Sequence, residues 1–375
     1  LYVSFNGGDL WNPLQANLPA APVHWLEVQP DFNDLVVATY GRGFWIMDDI
    51  TPIQQLTPEV MAAGLHLFEP RPTYRFLRKE SAQGSYEGAE GTNPDYGASI
   101  NFYAPATGTD GLRATLEVRD SDGTLLRTLR GGVGPGINRM QWDLREEPSR
   151  SPKLRTPPLE HEHVDLRGNG WRPPPEGGRV RPLVPPGRYN LAVQIGDWSA
   201  TTTLDVLRDP NSEGSDRDIQ QQVAMLRDLR DETNQVTDLI DEIEWVRKGI
   251  DDIQARIDDD ALRLRGVSVD SVRAQSERLD TELIELEMQL FDLRLTGGSA
   301  GQDSLRWPRQ LYAKLISLAG YVSGTDHKPT DQSTEVHDVY KERLGDVLDR
   351  MQQIRNGSLN AFNALLARGG VAAIS

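Results

Sequence analysis

The chain contains no cysteine. That excludes a disulfide framework, a thiolate metal site and a cysteine nucleophile, and it is compatible with secretion. It also lacks any surplus of positive charge: 40 lysines and arginines stand against 56 aspartates and glutamates, a net charge of −16. No basic excess is available to neutralise nucleic-acid phosphates or anionic lipid, so neither is expected as a partner. No apolar run approaches the ~20 residues of a membrane helix. There is no Gly-x-Ser-x-Gly, no phosphate loop, no dinucleotide fingerprint and no metalloprotease helix motif, and no cofactor is expected. What is present is 375 residues, 38% hydrophobic and 26% charged. That length accommodates two or three domains with some long polar helices.

The first fifty residues read as short strands. Ser4-Phe5-Asn6-Gly7-Gly8-Asp9-Leu10-Trp11 places Asn and Gly at a turn that needs positive φ. Ser4 and Asn6 are suited to bond the turn's own backbone, and Trp11 to cover it with apolar surface. Val23–Val28 alternates, and Leu35–Tyr40 is apolar on both faces, as in a buried strand. Gly41-Arg42-Gly43 is a tight turn before Phe44-Trp45-Ile46-Met47. The first stretch, Ser-x-Asn-x-Gly-x-x-Trp, resembles the Asp-box turn of BNR-type β-propellers, with Asn in place of Asp. Val36-Val37-Ala38-Thr39-Tyr40-Gly41-Arg42-Gly43-Phe44-Trp45-Ile46-Met47-Asp48-Asp49 resembles the last blade of sortilin-like BNR-repeat proteins, whose bacterial members are commonly labelled glycosyl hydrolases. The resemblance implies that residues 1–50 are the last one and a half blades of a propeller. The chain would then be the C-terminal part of a longer protein, extracellular or periplasmic. Ser4, Asn6, Gly8 and Trp11 would form a structural Asp box.

Residues 51–95 read as a connector ending in a linker, since Lys79–Gly97 has almost no apolar content. From 96 to 208 alternation returns. Asp120-Ser121-Asp122-Gly123 is a hairpin signal. The strands Gly136-x-Asn138-x-x-x-Trp142-Asp143 and Pro185-Pro186-Gly187-x-Tyr189 resemble those of the Ig-like domain of flagellar hook-capping proteins. About seven short strands make an Ig-like β-sandwich. A Pro/Arg-rich insertion near 146–182 interrupts it, and is readable as a functional loop, as polyproline or as disorder.

From Ser215 the apolar period becomes about 3.5. Ile219, Val223, Leu226, Val236, Ile240, Ile243, Ile250 and Ile257 form the first seam, with Arg230, Thr233 and Arg247 filling others of its positions. A second stripe runs through Val272, Leu279, Leu283, Leu286, Leu290 and Leu293, before Gly297-Gly298. A third follows Pro308 and a fourth starts at Thr330. Residues 211–370 are therefore expected to form a four-helix antiparallel bundle. The fold class as a whole is multidomain β plus α: partial β-propeller blades, an Ig-like β-sandwich and an antiparallel helical bundle.

Candidate site residues are few. Arg42 between two glycines is free to project toward a ligand, or to pair with Asp48 or Asp49. His161-x-His163 has a spacing used in some metal sites, but no third ligand is evident, so no metal is assigned. His327 and His337 read as solvated, and so do Glu277, Glu282, Glu285 and Glu287. Trp11, Trp25, Trp45 and Trp142 are spaced as core. No carboxylate pair stands in a setting for glycoside hydrolysis, and no catalytic residue is assigned. The expected role is a non-catalytic scaffold or interaction region of a sortilin-like BNR-propeller protein. Its partners would be the upstream blades and a protein or polysaccharide ligand. The alternative is the accessory part of a glycoside hydrolase whose carboxylates lie in upstream blades.

Overall fold

The computed structural model describes residues 1–77, 92–109, 111–166, 168–175, 177–259, 263–296 and 303–374. Most of the 79–97 linker and the Gly297-Gly298 stop lie outside the described residues. The protein is β plus α and divides into two compact units. One comprises Leu1–Glu147 with Leu183–Asp216, the other Pro148–Pro182 with Arg217–Ser375.

The first unit begins with β1 (Tyr2–Val3) and β2 (Asn12–Pro13), paired antiparallel. Next, β3 (Val23–Gln29), β4 (Asp34–Thr39) and β5 (Phe44–Met47) form a three-stranded antiparallel sheet. Two short helices follow, α1 (Thr51–Gln55) and α2 (Pro58–Ala63). Thr57 accepts a hydrogen bond from the Val60 amide as the N-cap of α2. Then come β6 (His66–Leu67), β7 (Thr73–Arg75), β8 (Ala98–Ala104), β9 (Arg113–Arg119), β10 (Leu125–Gly132), β11 (Gly136–Trp142), β12 (Gly187–Ile195) and β13 (Trp198–Arg208). They make a five-stranded sheet, ordered β10-β9-β12-β13-β7, and a three-stranded sheet, ordered β11-β8-β6. Only the β13–β7 pair is parallel within them.

Alternation decides what these two sheets bury. Ile100 and Phe102 of β8, Leu116 and Val118 of β9, Trp142 of β11, and Leu191 and Val193 of β12 enter one apolar cluster. Trp142 meets the Tyr189 ring edge-on at 5.5 Å, and its indole N–H donates to the Arg145 carbonyl at 3.0 Å. Truncating such a fully buried aromatic costs about 3–5 kcal/mol.

The β3–β5 sheet differs from its sequence expectation. Val37 is its one buried residue. Trp25 is 67% exposed, Phe44 79% and Ile46 60%. Of the four tryptophans spaced as core, only Trp142 is buried; Trp11 and Trp25 are exposed and Trp45 is half-buried. Register explains the pattern. Leu26, Val37 and Trp45 stand opposite one another on one face, and Trp25, Ala38 and Phe44 on the other. Both faces are apolar; the Val37 face is partly covered, and the Trp25–Phe44 face is left largely open.

The second unit is built on α3 (Asp216–Asp258), 43 residues long. The other helices are α4 (Val269–Leu290), α5 (Asp303–Arg306), α6 (Leu311–Val322), α7 (Asp331–Ile354) and α8 (Asn360–Arg368). A π turn, Arg355–Leu359, joins α7 to α8. Ser268 and Thr330 cap α4 and α7 by accepting the Ser271 and Ser333 amides. The seam residues Ile219 to Ile250 are buried, but so are Leu229, Leu239, Val246 and Ile253. The apolar stripe is wider than a coiled-coil seam because α3 is covered along more than one side.

Part of that cover is the Pro/Arg-rich segment, which is buried at Pro152, Leu154, Arg155, Thr156 and Pro158 and exposed over most of the described residues of 160–170. Leu154 and Val180 are buried in the helical core. Four acceptors along α3 hold the segment. The Asn234 side chain accepts from the Arg150 amide (2.7 Å), and Asp238 takes the Arg150 guanidinium at 2.5 and 2.7 Å. Asp241 accepts from the Lys153 amide (2.8 Å), and Glu244 accepts from the Arg155 and Thr156 amides and the Thr156 hydroxyl. Spacings of three and four put these side chains on one helical face, against an extended chain whose amides need acceptors.

Behind them lies a buried ionic cluster. Arg247 donates to Asp280 at 3.0 Å, to Glu287 at 3.0 Å and to the Thr156 hydroxyl at 3.2 Å. Glu244 and Glu287 are both fully buried. Glu287 was expected on a solvated face, as was His337. His337 instead packs against the Glu232 carboxylate at 2.8 Å with 4% of its surface exposed.

Candidate functional site

The first unit places its charged side chains around the turn that follows β5. Asp49 adopts φ of 51°, a left-handed conformation unusual for a residue other than glycine. Three bonds hold it there. Its amide donates to Asp34 Oδ1 at 2.8 Å, its carbonyl accepts from Arg139 Nη2 at 3.1 Å, and its Oδ1 accepts from the Thr51 amide at 3.3 Å. Such a backbone persists only where its surroundings over-determine it, and costs on the order of 1–3 kcal/mol. Arg139 reaches this turn from β11. Its Nε donates to Asn101 Oδ1 at 3.0 Å and its Nη2 also donates to the Asp48 carbonyl at 3.2 Å.

These contacts frame a cleft of about 320 Å³, with Phe32, Asp34, Asp48, Arg71, Asp95 and Arg139 among its lining residues. Arg71 stacks over the Phe32 ring at 5.3 Å from its centroid. Its Nε lies 3.8 Å from Asp49 Oδ1, an ion pair too long to be a hydrogen bond. Partial burial pushes the Asp48 carboxyl above the usual aspartate range, and the neighbouring Asp34 carboxylate adds to the rise; Arg139 and Arg71 oppose it. Asp48 therefore holds its proton to higher pH than a solvated aspartate does. The cleft thus presents planar guanidinium donors, carboxylate acceptors and an aromatic edge. That set suits a hydroxyl-rich or amide-bearing ligand.

Sequence reasoning noted Asp48 and Asp49 only as candidate partners of Arg42. Asp34, Arg71, Asp95 and Arg139 were missed. Their one local signal is the Asp48-Asp49 pair after a strand, because Arg139 arrives from 90 positions further on. Arg42 is exposed, and no hydrogen bond or ion pair of its side chain occurs among the described residues. Its carbonyl accepts from Trp45 Nε1 at 3.0 Å. It does not line the cleft.

At the first turn, Ser4 Oγ accepts from the Gly8 amide (2.8 Å) and Asn6 Oδ1 from the Leu10 amide (2.9 Å). Gly7 and Gly8 have φ of 72° and 102°. The Trp11 ring lies over Gly8, 3.9 Å from where a Cβ would stand. The polar side chains of this turn are spent on the turn itself. His161 and His163 meet edge to face, 5.8 Å between centroids. Among the described residues, no group of three His, Cys, Asp or Glu side chains is placed to hold a metal, and no helix is long and apolar enough to cross a membrane. Set against models of protein families, curated proteins and solved structures, the chain finds no match in any of the three.

Proposed function

We propose that this chain is a scaffold and interaction region of a secreted, sortilin-like BNR-propeller protein. In this reading the strands of residues 1–50 are the last propeller blades, with an Asp box at Ser4, Asn6, Gly8 and Trp11. The strands of 96–208 form an Ig-like domain and the helices an antiparallel bundle. The observation that carries it is the β3–β5 sheet, apolar on both faces yet with Trp25, Phe44 and Ile46 exposed. Strands apolar on both faces belong where both faces are covered, and in a propeller each blade is covered by its two neighbours. The ligand is a protein or a polysaccharide, met by the cleft of Asp34, Asp48, Arg71 and Arg139. The test is the sequence upstream of Leu1 in the parent gene. It should encode further strands with Asp-box turns, and an upstream sequence without them overturns the propeller reading.

The cleft gives the second reading its support. An aspartate with a raised pKa beside another carboxylate is the environment in which glycoside hydrolases keep a general acid. Under that reading the chain is the accessory part of a glycoside hydrolase, with the main carboxylates on upstream blades. Assay of the parent protein on a glycoside panel separates the two. Turnover reduced by Asp48→Asn favours the hydrolase, and absence of turnover across the panel leaves the scaffold.

A further inference from the structure

A second cleft, of about 310 Å³, opens between α4, α6 and α7 of the helical unit. Lys314 of α6 and Arg343 of α7 both line it. The chain has 56 acidic residues for 40 basic ones, so carboxylate partners are plentiful. Among the described residues these two side chains make no hydrogen bond and no ion pair. They line the same cleft instead. Partial burial, and then the Arg343 charge, hold the Lys314 ammonium below its ordinary range. Lys314 is half-buried and Arg343 exposed; two like charges brought to one cleft repel, and an anion bound between them relieves that repulsion.

The surroundings add to this. Gln310 and Leu311, at the N-terminus of α6, also line the cleft. The first turn of α6 carries no acidic residue, and its N-cap Gln310 makes no side-chain cap. Gln310 Nε2 donates to the Pro308 carbonyl instead. The positive end of a twelve-residue helix thus borders the same cleft as the two cations. The remaining wall is apolar, from Met288, Leu311 and Val347, apart from Gln289 and the exposed Asp346. That carboxylate disfavours a polyanion and leaves room for one acid group.

We propose that this cleft binds a small organic anion, its single carboxylate or phosphate group between Lys314 and Arg343 and its apolar body against Met288, Leu311 and Val347. The site is independent of the propeller reading, since it uses no residue of the first unit.

The test is calorimetric titration of the whole chain with hexanoate and with inorganic phosphate, at constant ionic strength and with chloride as background. Saturable binding of either probe, weakened about tenfold or more by both Lys314→Met and Arg343→Met, supports the site. The probe that binds tells carboxylate from phosphate. A second readout guards against misfolding. Lys314→Met removes a repulsion, so without added anion its thermal midpoint should equal or exceed that of the parent chain. Overturning results are an absence of saturable binding by both probes, or binding that both variants retain.

Discussion

Glu287 offers a direct check on how the helical unit is held together. Its side chain is fully buried on α4. One oxygen accepts from Arg247 at 3.0 Å, and the other has no hydrogen-bond partner. Burial first, and the Glu244 carboxylate second, drive its pKa well above the ordinary glutamate value of 4.5, against the pull of Arg247. Arg247 itself is shifted upward although burial works against its charge, because Glu287, Asp280 and Glu244 outweigh that burial. The two shifts pull in opposite senses on the Arg247–Glu287 pair. We favour the neutral Glu287, because Arg247 keeps Asp280 at 3.0 Å and Glu244 at 3.6 Å whichever form Glu287 takes. Arg172 of the Pro/Arg-rich segment is buried on the same cluster and is itself depressed, chiefly by burial.

The sign follows. The folded chain holds a proton that the unfolded chain releases near pH 4.5. Stability from this group is complete below that pH and is lost as pH rises through the higher folded value. Within that window the slope approaches about −1.4 kcal/mol per pH unit. Glu287→Gln keeps the shape and removes the titration. Urea unfolding followed at 222 nm, from pH 5 to 9, should show a falling curve for the parent chain and a shallower one for the variant. At pH 5 the two should agree within about 1 kcal/mol, because the protonated acid and the amide can each donate a hydrogen bond toward the Glu244 carboxylate. By contrast, Glu244→Gln should cost about 3–5 kcal/mol at every pH, since it removes the charged acceptor of three donors and leaves Arg247 undercompensated. The reasoning is refuted if Glu287→Gln is strongly destabilising at pH 5 and the parent's curve rises with pH. That outcome would mean an ionised Glu287 paired with Arg247.

The same cluster shows where a sequence stops being informative. The 3.5-residue period located α3 and its seam, because Ile219, Val223, Leu226, Ile240 and Ile243 need no knowledge of what covers them. Thr233 and Arg247 were recognised as filling seam positions, and both are buried. Glu287 read as solvated charge, and nothing local singles out Glu244, because what buries them is not local. Thr156, which bonds Glu244, stands 88 positions before it in the chain. His337 fails for the same reason, its Glu232 partner being 105 positions away. In the strands, alternation identifies the faces but not whether anything lies on them. Trp142 and Trp25 carry the same local pattern; one meets Tyr189 across two packed sheets and the other meets solvent. The cleft at Asp48 was half legible. Its acidic turn could be read, while Arg139 is brought to it by the β11–β8 pairing and Arg71 by the segment between β6 and β7.

Two further expectations bear on local structure. Thr330→Ala removes the acceptor of the Ser333 amide at the start of α7, and should lower stability by about 1 kcal/mol, read as a fall in the urea midpoint with the slope unchanged. Gly97 allows a sharper argument through its comparison with Gly108. Both have positive φ, 118° and 81°. A Cβ at Gly108 meets open space, whereas one at Gly97 stands 2.0 Å from the Trp142 carbonyl oxygen, a backbone atom that no rotamer change can move. Gly108→Ala should therefore show only the backbone penalty of about 1–2 kcal/mol. Gly97→Ala should add a collision that displaces the end of β11 and, with it, the buried Trp142, for a total of about 3 kcal/mol or more. Near-ultraviolet circular dichroism reads the Trp142 environment alongside the stability difference. Equal losses for the two variants, with the aromatic signal unchanged, would mean that the Trp142 peptide is not fixed in place by the two sheets around it.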